Sequence, residues 1–263
     1  MALAKANGSL DQEVFMKTHL KRILPSPVIQ WLKNSSVANR ALDTLGPPMK
    51  RWARRRMSFN QVYGDDYFEM IDRTSRDSAE VMADSLVSHF SPKSAVDVGC
   101  GTGVLLEALR DREIGILEIE KAESALRYCA ERKLEVLPLD ITRPEEAGQL
   151  PRSFDIATSF EVGHQISPES SSPYVAFLTR LSNLVVFSSD PGGDDRLPLN
   201  PKPPSYWIQL FAEHGFTFDE AESKTLKRKW EEGAVAHWFS RFPMVFRRMS
   251  EIVFLVSGLP CPF

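Results

Sequence analysis

Two carboxylates and an alternating run of glycines are spaced as a nucleoside-containing ligand requires. Gly99-Cys100-Gly101-Thr102-Gly103 places a glycine at every second position. Glycine tolerates positive φ and carries no Cβ, so a ligand can lie directly against such a backbone. The unpaired N–H groups of a helix that follows suit an anionic end of that ligand. Asp97 precedes the first glycine by two residues, and Glu120 follows it by 21. A carboxylate at the tip of a second strand, about 20 residues beyond the turn, is the acceptor that ribose hydroxyls need. Glu118 competes for that place, but Glu120 stands directly past the Ile116–Ile119 strand and spacing favours it. A dinucleotide-binding turn reads G-x-G-x-x-G. Here Val104 occupies the position of the third glycine, which disfavours a nicotinamide oxidoreductase.

Holding these groups takes a strand before the turn and a helix after it. Ser94-Ala95-Val96-Asp97-Val98 has strand character, and Val104-Leu105-Leu106-Glu107-Ala108-Leu109 suits a helix. The alternation continues: strand 114–119, helix 122–132, strand 134–138, a loop at Leu139-Asp140-Ile141, strand 154–159, helix 173–181 and strand 183–189. Repeated βα units imply right-handed crossovers and a mostly parallel sheet covered on both faces. Upstream, Ser75 or Asp77 through Phe90 reads as a helix on the apolar face Ala79, Met82, Ala83, Leu86 and Val87. Residues 190–205 carry five prolines and two glycines and read as a long loop of the kind that contacts substrate. Tyr206–Glu213 reads as a helix and 216–222 as a strand, and the last strand is either Met244–Arg247 or Ile252–Val256. Near the N-terminus, helices are expected at 10–24 and 28–33, with breaks at Pro25, Pro27 and Gly46-Pro47-Pro48.

The 263 residues fit one large domain with an appendage. Net charge is −3, yet residues 1–60 hold eleven Lys and Arg against three Asp and Glu, or +8, which leaves −11 for the rest. That basic region, with Lys50-Arg51-Trp52-Ala53-Arg54-Arg55-Arg56 at its end, either touches an anionic surface or is a solvated cap on an acidic body. Nucleic acid is not the expected partner. Cys100, Cys129 and Cys261 are far apart in sequence with no C-x-x-C, which argues against a zinc site or disulfide framework and suits a reducing compartment. No metal is expected. No apolar run approaches the roughly 20 residues of a membrane span. The N-terminal residues lack a secretion signal's apolar stretch, so a cytoplasmic location is expected.

Val96-Asp97-Val98-Gly99-Cys100-Gly101-Thr102-Gly103 resembles motif I of the class I S-adenosylmethionine-dependent methyltransferases. The likeness extends through Ile116–Glu120 and Ala125–Cys129, through Leu139-Asp140-Ile141, and through Ser153–Val162, covering roughly residues 75–222. It implies a Rossmann-like, doubly wound, seven-stranded sheet under an N-terminal helical cap, with 1–75 as cap and 76–263 as cofactor-binding domain. It also implies S-adenosylmethionine as cofactor. Gly99, Cys100, Gly101, Thr102 and Gly103 would line the methionine moiety with Asp97 near its ammonium, and Glu120 would accept both ribose hydroxyls. Asp140 would take the adenine amino group, Ile141 would pack on the ring, and Phe160 with Glu161 would line the sulfonium end. The other reading of Asp140 is a turn residue or helix cap.

Phe187–Gly192 and Asn200–Trp207 are similar to one branch of small-molecule and sugar-tailoring methyltransferases. That likeness implies a small-molecule acceptor methylated on oxygen, and Asn200, Tyr206 and Tyr67 are the expected substrate contacts. The candidate catalytic residues are His164, as base, and Glu161. Departures bear on catalysis. Relatives often read Glu-Val-Ala-Glu-His where this chain has Glu161-Val162-Gly163-His164-Gln165, often have glycine at the place of Glu118, and often end His-Val-Asn where it has Pro198-Leu199-Asn200. The changes at His164-Gln165 and Pro198 favour the alternative of a catalytically altered cofactor-binding or interaction protein, while Glu118 would make the ribose edge more crowded or more acidic. Tyr63, Tyr67 and Phe68 are expected near the cofactor mouth or in packing between cap and body.

Overall fold

A strand whose two neighbours leave in opposite directions sets the architecture. In a computed structural model, which describes residues 62–143, 150, 154–192 and 198–250, β1 (Ser94–Val98) lies between β2 (Gly115–Glu120) and β4 (Ile156–Phe160). β3 (Val136–Pro138) extends the sheet beyond β2, and β5 (Leu184–Ser188) extends it beyond β4. All these pairings are parallel. β7 (Met244–Arg248) then pairs antiparallel with β5 on one side and with β6 (Phe216–Phe218) on the other, giving the order β3-β2-β1-β4-β5-β7-β6. The chain reverses its direction of travel between β1 and β4, so the two connections part above their C-terminal ends and open a crevice. Asp97, the 99–103 turn, Glu120 and Glu161 stand at that end of the sheet.

Alternating side chains divide the core between the two faces. On one face, Val96, Val98 and Ile119 pack with Tyr174, Phe177 and Leu178 of α4 (Ser171–Leu181) and with Trp207 and Phe211 of α5 (Pro204–Glu213). On the other, Ala95, Ile116 and Ile156 meet Ala79, Met82 and Leu86 of α1 (Asp65–Phe90), Leu105, Leu106 and Leu109 of α2 (Val104–Arg110), and Leu226 and Trp230 of α6 (Glu220–Glu232). α3 (Glu123–Glu131) follows β2, and the short α7 (His237–Ser240) leads to β7. Both faces are sealed, as a parallel sheet requires.

Several boundaries differ from the sequence reading. α1 begins at Asp65 rather than near residue 75, because its buried stripe contains Asp72, Ser75 and Ser78 beside the apolar residues. A polar residue in a buried stripe hides the helical period. The stretch 216–222 is a strand only to Phe218; Asp219 then caps α6 by accepting from the Glu222 N–H at 3.1 Å. Of the two candidate last strands, Met244–Arg248 forms one, while Ile252–Val256 lies outside the described residues. The expected helices at 10–24 and 28–33 and the basic run 50–56 lie outside them as well. No helix among the described residues is long and apolar enough to cross a membrane.

Candidate cofactor and acceptor site

The turn after β1 is held from below and open above. Gly99, Gly101 and Gly103 have φ of 78°, 57° and 77°, the left-handed region. The Gly99 and Cys100 N–H groups both donate to Ile119 O, at 2.7 and 3.2 Å, which anchors the turn to the end of β2. A Cβ on Gly99 would stand 2.5 Å from Val162 Cγ2, and one on Gly103 2.5 Å from Leu134 Cδ1. Those two glycines are needed for packing. A Cβ on Gly101 would meet only Phe68 Cε1, at 3.9 Å, so here the missing side chain leaves the backbone bare beneath an aromatic ring. Thr102 is buried beside it, with an unpartnered hydroxyl.

Glu120 is turned toward this bare backbone. Its Oε2 accepts from Gly101 N–H at 3.0 Å, and its Oε1 accepts from Lys121 N–H at 2.7 Å and Ala122 N–H at 2.8 Å. Burial pushes its pKa up, against the pull of those three donors. A carboxylate has about four lone-pair sites, so one site on Oε2 is left for a further donor. Asp97 is buried on the same sheet face, where Thr158 Oγ1 donates to its Oδ1 at 2.8 Å. Burial raises its pKa to about 7. Glu118 is the register partner of Asp97 on β2; it is buried, its Oε1 has no partner, and burial raises its pKa to about 7 as well. Asp140 Oδ1 accepts from Thr142 N–H at 2.9 Å, from Thr142 Oγ1 at 2.6 Å and from Lys121 Nζ at 3.0 Å. Burial acts to raise its pKa, and the Thr142 and Lys121 contacts outweigh it and hold the carboxyl below its ordinary value. Asp140 therefore forms a side-chain-closed turn while standing past β3. Ile141 is buried beside Leu139 and Ile119.

The acceptor-side candidates gather beyond β4 and β5. Glu161 has a φ of 60°, a strained setting for a side chain that is not glycine. Its Oε1 accepts from Ser188 Oγ at 2.7 Å, and its Oε2 lies 3.8 Å from His164 Nδ1. His164 is buried in a 3-10 turn (Gly163–Gln165), and its Nδ1 accepts from the Asp190 N–H at 3.1 Å. In the neutral ring the proton therefore sits on Nε2. The His164 carbonyl accepts from Leu199 and Asn200 N–H, each at 2.9 Å, tying the loop after β5 to the turn after β4. Asn200 is buried and donates through Nδ2 to Ser171 Oγ at 2.8 Å, leaving Oδ1 unpartnered. Tyr206 is half-buried, edge-on to Trp207 and beneath Lys202 Nζ. Tyr67, on α1, accepts from Gln165 Nε2 at 3.4 Å and stacks edge-on with Tyr63 and Phe68. The Phe160 ring packs edge-on against Trp230 and Phe239, in the core layer of α1, α2 and α6.

The turn, Asp97, Glu120 and Asp140 thus line the ends of β1 to β3, while Glu161, His164 and Asn200 gather at the ends of β4 and β5. Sequence reasoning missed Lys121, which holds both Glu120 and Asp140, and Thr158, Ser188, Asp190 and Gln165, each of which holds one candidate residue by a hydrogen bond. Such partners leave no motif. The exception is Lys121, whose place directly after Glu120 marks it.

The model of the family described as methionine biosynthesis protein MetW matches residues 82–160. A ubiquinone biosynthesis O-methyltransferase of Nitrosomonas europaea is 30% identical over 128 residues, covering 47% of this chain and 51% of that protein. Its counterpart in Methylococcus capsulatus is 35% identical over 94 residues, covering 34% and 39%. The chain thus spans about half, or less, of the length of these curated relatives. Among solved structures, an S-adenosylmethionine-dependent methyltransferase from Archaeoglobus fulgidus aligns over 70% of this chain and all of its own, with a TM-score of 0.52 at 16% identity. A 1,6-didemethyltoxoflavin-N1-methyltransferase from Burkholderia thailandensis, solved with S-adenosylhomocysteine, aligns over 78% and 92% with a TM-score of 0.52 at 14% identity. An S-adenosylmethionine-bound amino pentose methyltransferase from Micromonospora echinaspora aligns over 69% and 96% with a TM-score of 0.50 at 17% identity.

Proposed function

We propose, from a chain that has the class I S-adenosylmethionine-dependent methyltransferase fold, that it binds S-adenosylmethionine over the 99–103 turn and transfers the methyl group to an oxygen of a small molecule. The observation that carries this reading is Glu120: three backbone donors fix its carboxylate at the open side of Gly101, with one acceptor site to spare. That site takes one ribose hydroxyl, rather than the two that a wholly open carboxylate would accept. Asp97 faces the ammonium end, Asp140 the adenine amino group and Ile141 the ring. When bound, the cofactor supplies an electrophilic methyl group on a sulfonium. The residues of this chain hold the acceptor in line with it, and orientation of that kind contributes much of the rate.

Oxygen as the acceptor atom rests on the ubiquinone biosynthesis O-methyltransferases that the sequence resembles. A hydroxyl acceptor needs a base. His164 can take a proton at Nε2 only in the tautomer whose Nδ1–H turns from Asp190 toward Glu161 Oε2. Glu161, locked by Ser188, then stabilises the imidazolium. Tyr67 and Tyr206 border the acceptor.

Titration calorimetry with S-adenosylmethionine, followed by labelled-methyl transfer to phenolic and polyhydroxylated acceptors, tests the reading. Glu120→Gln is expected to weaken cofactor binding by at least about tenfold, the effect of losing a charge-assisted hydrogen bond; unchanged affinity overturns the assignment. A second reading, a cofactor-binding protein without turnover, is favoured by the internal hydrogen bonds that occupy His164 Nδ1 and Asn200 Nδ2. Binding with no transfer to any acceptor would establish it.

A further inference from the structure

Two cysteines, one in the glycine turn and one on α3, are far apart in sequence and approach the same carbonyl. Cys100 lies inside the turn, half-buried, and Cys129 is wholly buried on α3. Both thiols reach the same carbonyl: Cys129 Sγ–H donates to Gly101 O at 3.3 Å, and Cys100 Sγ–H approaches it at 3.9 Å. The neighbouring Cys129 thiol, burial and the Glu120 and Asp97 carboxylates push the Cys100 pKa up. Cys129 is packed from the opposite side as well, since its sulfur lies 3.2 Å from where a Cβ on Gly103 would stand.

We propose that Cys100 and Cys129 are a paired oxidation site, which a hydroperoxide closes to an intrachain disulfide that pins the glycine turn to α3 and weakens S-adenosylmethionine binding. Cys100 is the residue that meets the oxidant, because Cys129 has no exposed surface. The thiol first releases its proton, and the small thiolate fraction that its raised pKa allows attacks one peroxide oxygen; the O–O bond breaks, and the departing oxygen takes up the released proton and leaves as water or alcohol. Cys129 sulfur then attacks the sulfenic sulfur of Cys100; the S–S bond forms, the S–O bond breaks, and hydroxide leaves as water with the Cys129 proton. The two sulfurs lose two electrons and the peroxide gains them. The bond acts on the turn because the peptide that joins Cys100 to Gly101 carries the N–H that holds Glu120 Oε2. This consequence rests on the cofactor reading above; the cross-link does not.

The test uses the full chain carrying Cys261→Ser, which leaves these two thiols alone. It is treated with hydrogen peroxide, mapped by non-reducing proteolysis and mass spectrometry, and titrated with S-adenosylmethionine before and after dithiothreitol. The expected result is a peptide joining Cys100 to Cys129 with the loss of two hydrogens, and affinity lowered about tenfold or more, both reversed by the reductant. With Cys129→Ala, dimedone should instead trap a sulfenic acid on Cys100. Unreacted or sulfinic Cys100 without the cross-link overturns the proposal, and so does a cross-link that leaves affinity unchanged. A reduced protein that binds no cofactor refutes the functional reading instead, and the yield of the cross-link then decides the thiol pair by itself.

Discussion

Gly99 and Gly103 are required by their neighbours, Gly101 under the proposed reading by the ligand, and single substitutions separate the two. Gly99→Ala combines a φ of 78° with a contact at 2.5 Å from Val162, and should cost about 2–4 kcal/mol of stability through strain and overpacking. Gly101→Ala meets only Phe68 Cε1, at an ordinary contact of 3.9 Å, and should cost about 1 kcal/mol, the penalty of a side chain in the left-handed region. It should nonetheless lose most affinity for S-adenosylmethionine; thermal melts and calorimetry on the two variants check the crossing pattern. Asp97 adds a pH dependence. Burial puts its pKa at about 7, and only its ionised form pairs with an ammonium. Cofactor affinity should therefore rise about tenfold between pH 6 and 8 as the carboxylate forms, and Asp97→Asn should flatten the profile. At this scale the sequence was legible where a backbone requirement writes itself as glycine, and where strand spacing places Glu120. It was silent on Thr158, Ser188 and Asp190, because a single hydrogen bond to a neighbour constrains residue type weakly. It also could not show that the Glu120 carboxylate is already three-quarters engaged by the backbone.

At the scale of elements, α1 is what brings Phe68 over the turn and Tyr67 to Gln165, and a buried ion cluster holds it there. Arg132, after α3, donates to Asp72 of α1 at 2.5 Å and to Glu107 of α2 at 2.9 Å, with only 6% of its side chain exposed. Removing one member of a buried pair strands the other. Arg132→Ala should thus destabilise the protein by about 3–5 kcal/mol, and chemical denaturation is the measurement. The cluster also explains why the start of α1 was hidden: Asp72 stands in the stripe where the period predicts an apolar side chain, and Ser75 and Ser78 follow it there. α6 was hidden differently. Its sequence, Glu220–Glu232, is dominated by charge and buries only Ser223, Leu226 and Trp230. A signal for it existed in Asp219-x-x-Glu222, the pattern of a capped helix start. The βα rhythm of 94–189, by contrast, was legible almost element by element, because each unit there carries its own apolar period.

For the whole molecule, the two buried acids Asp97 and Glu118 make stability depend on pH. Both have pKa values raised to about 7, from 3.8 and 4.5 respectively. Between those limits the folded state binds more protons than the unfolded chain, so stability should fall as pH rises from about 4 to 7 and level off above. Glu118→Gln should raise the melting temperature at pH 8 and change it little at pH 5, which separates loss of a buried charge from better packing. The sheet order carries a consequence of another kind. β6 pairs only with β7, and β7, the last strand of the sheet, sits between β5 and β6. During synthesis the five parallel strands and the 99–103 turn emerge first, and β5 waits with one edge bare until residues 244–248 leave the ribosome. A chain that stops before them would expose that edge, which is a template for pairing with other chains. Nascent chains arrested short of residue 244 should therefore be the ones that chaperones bind.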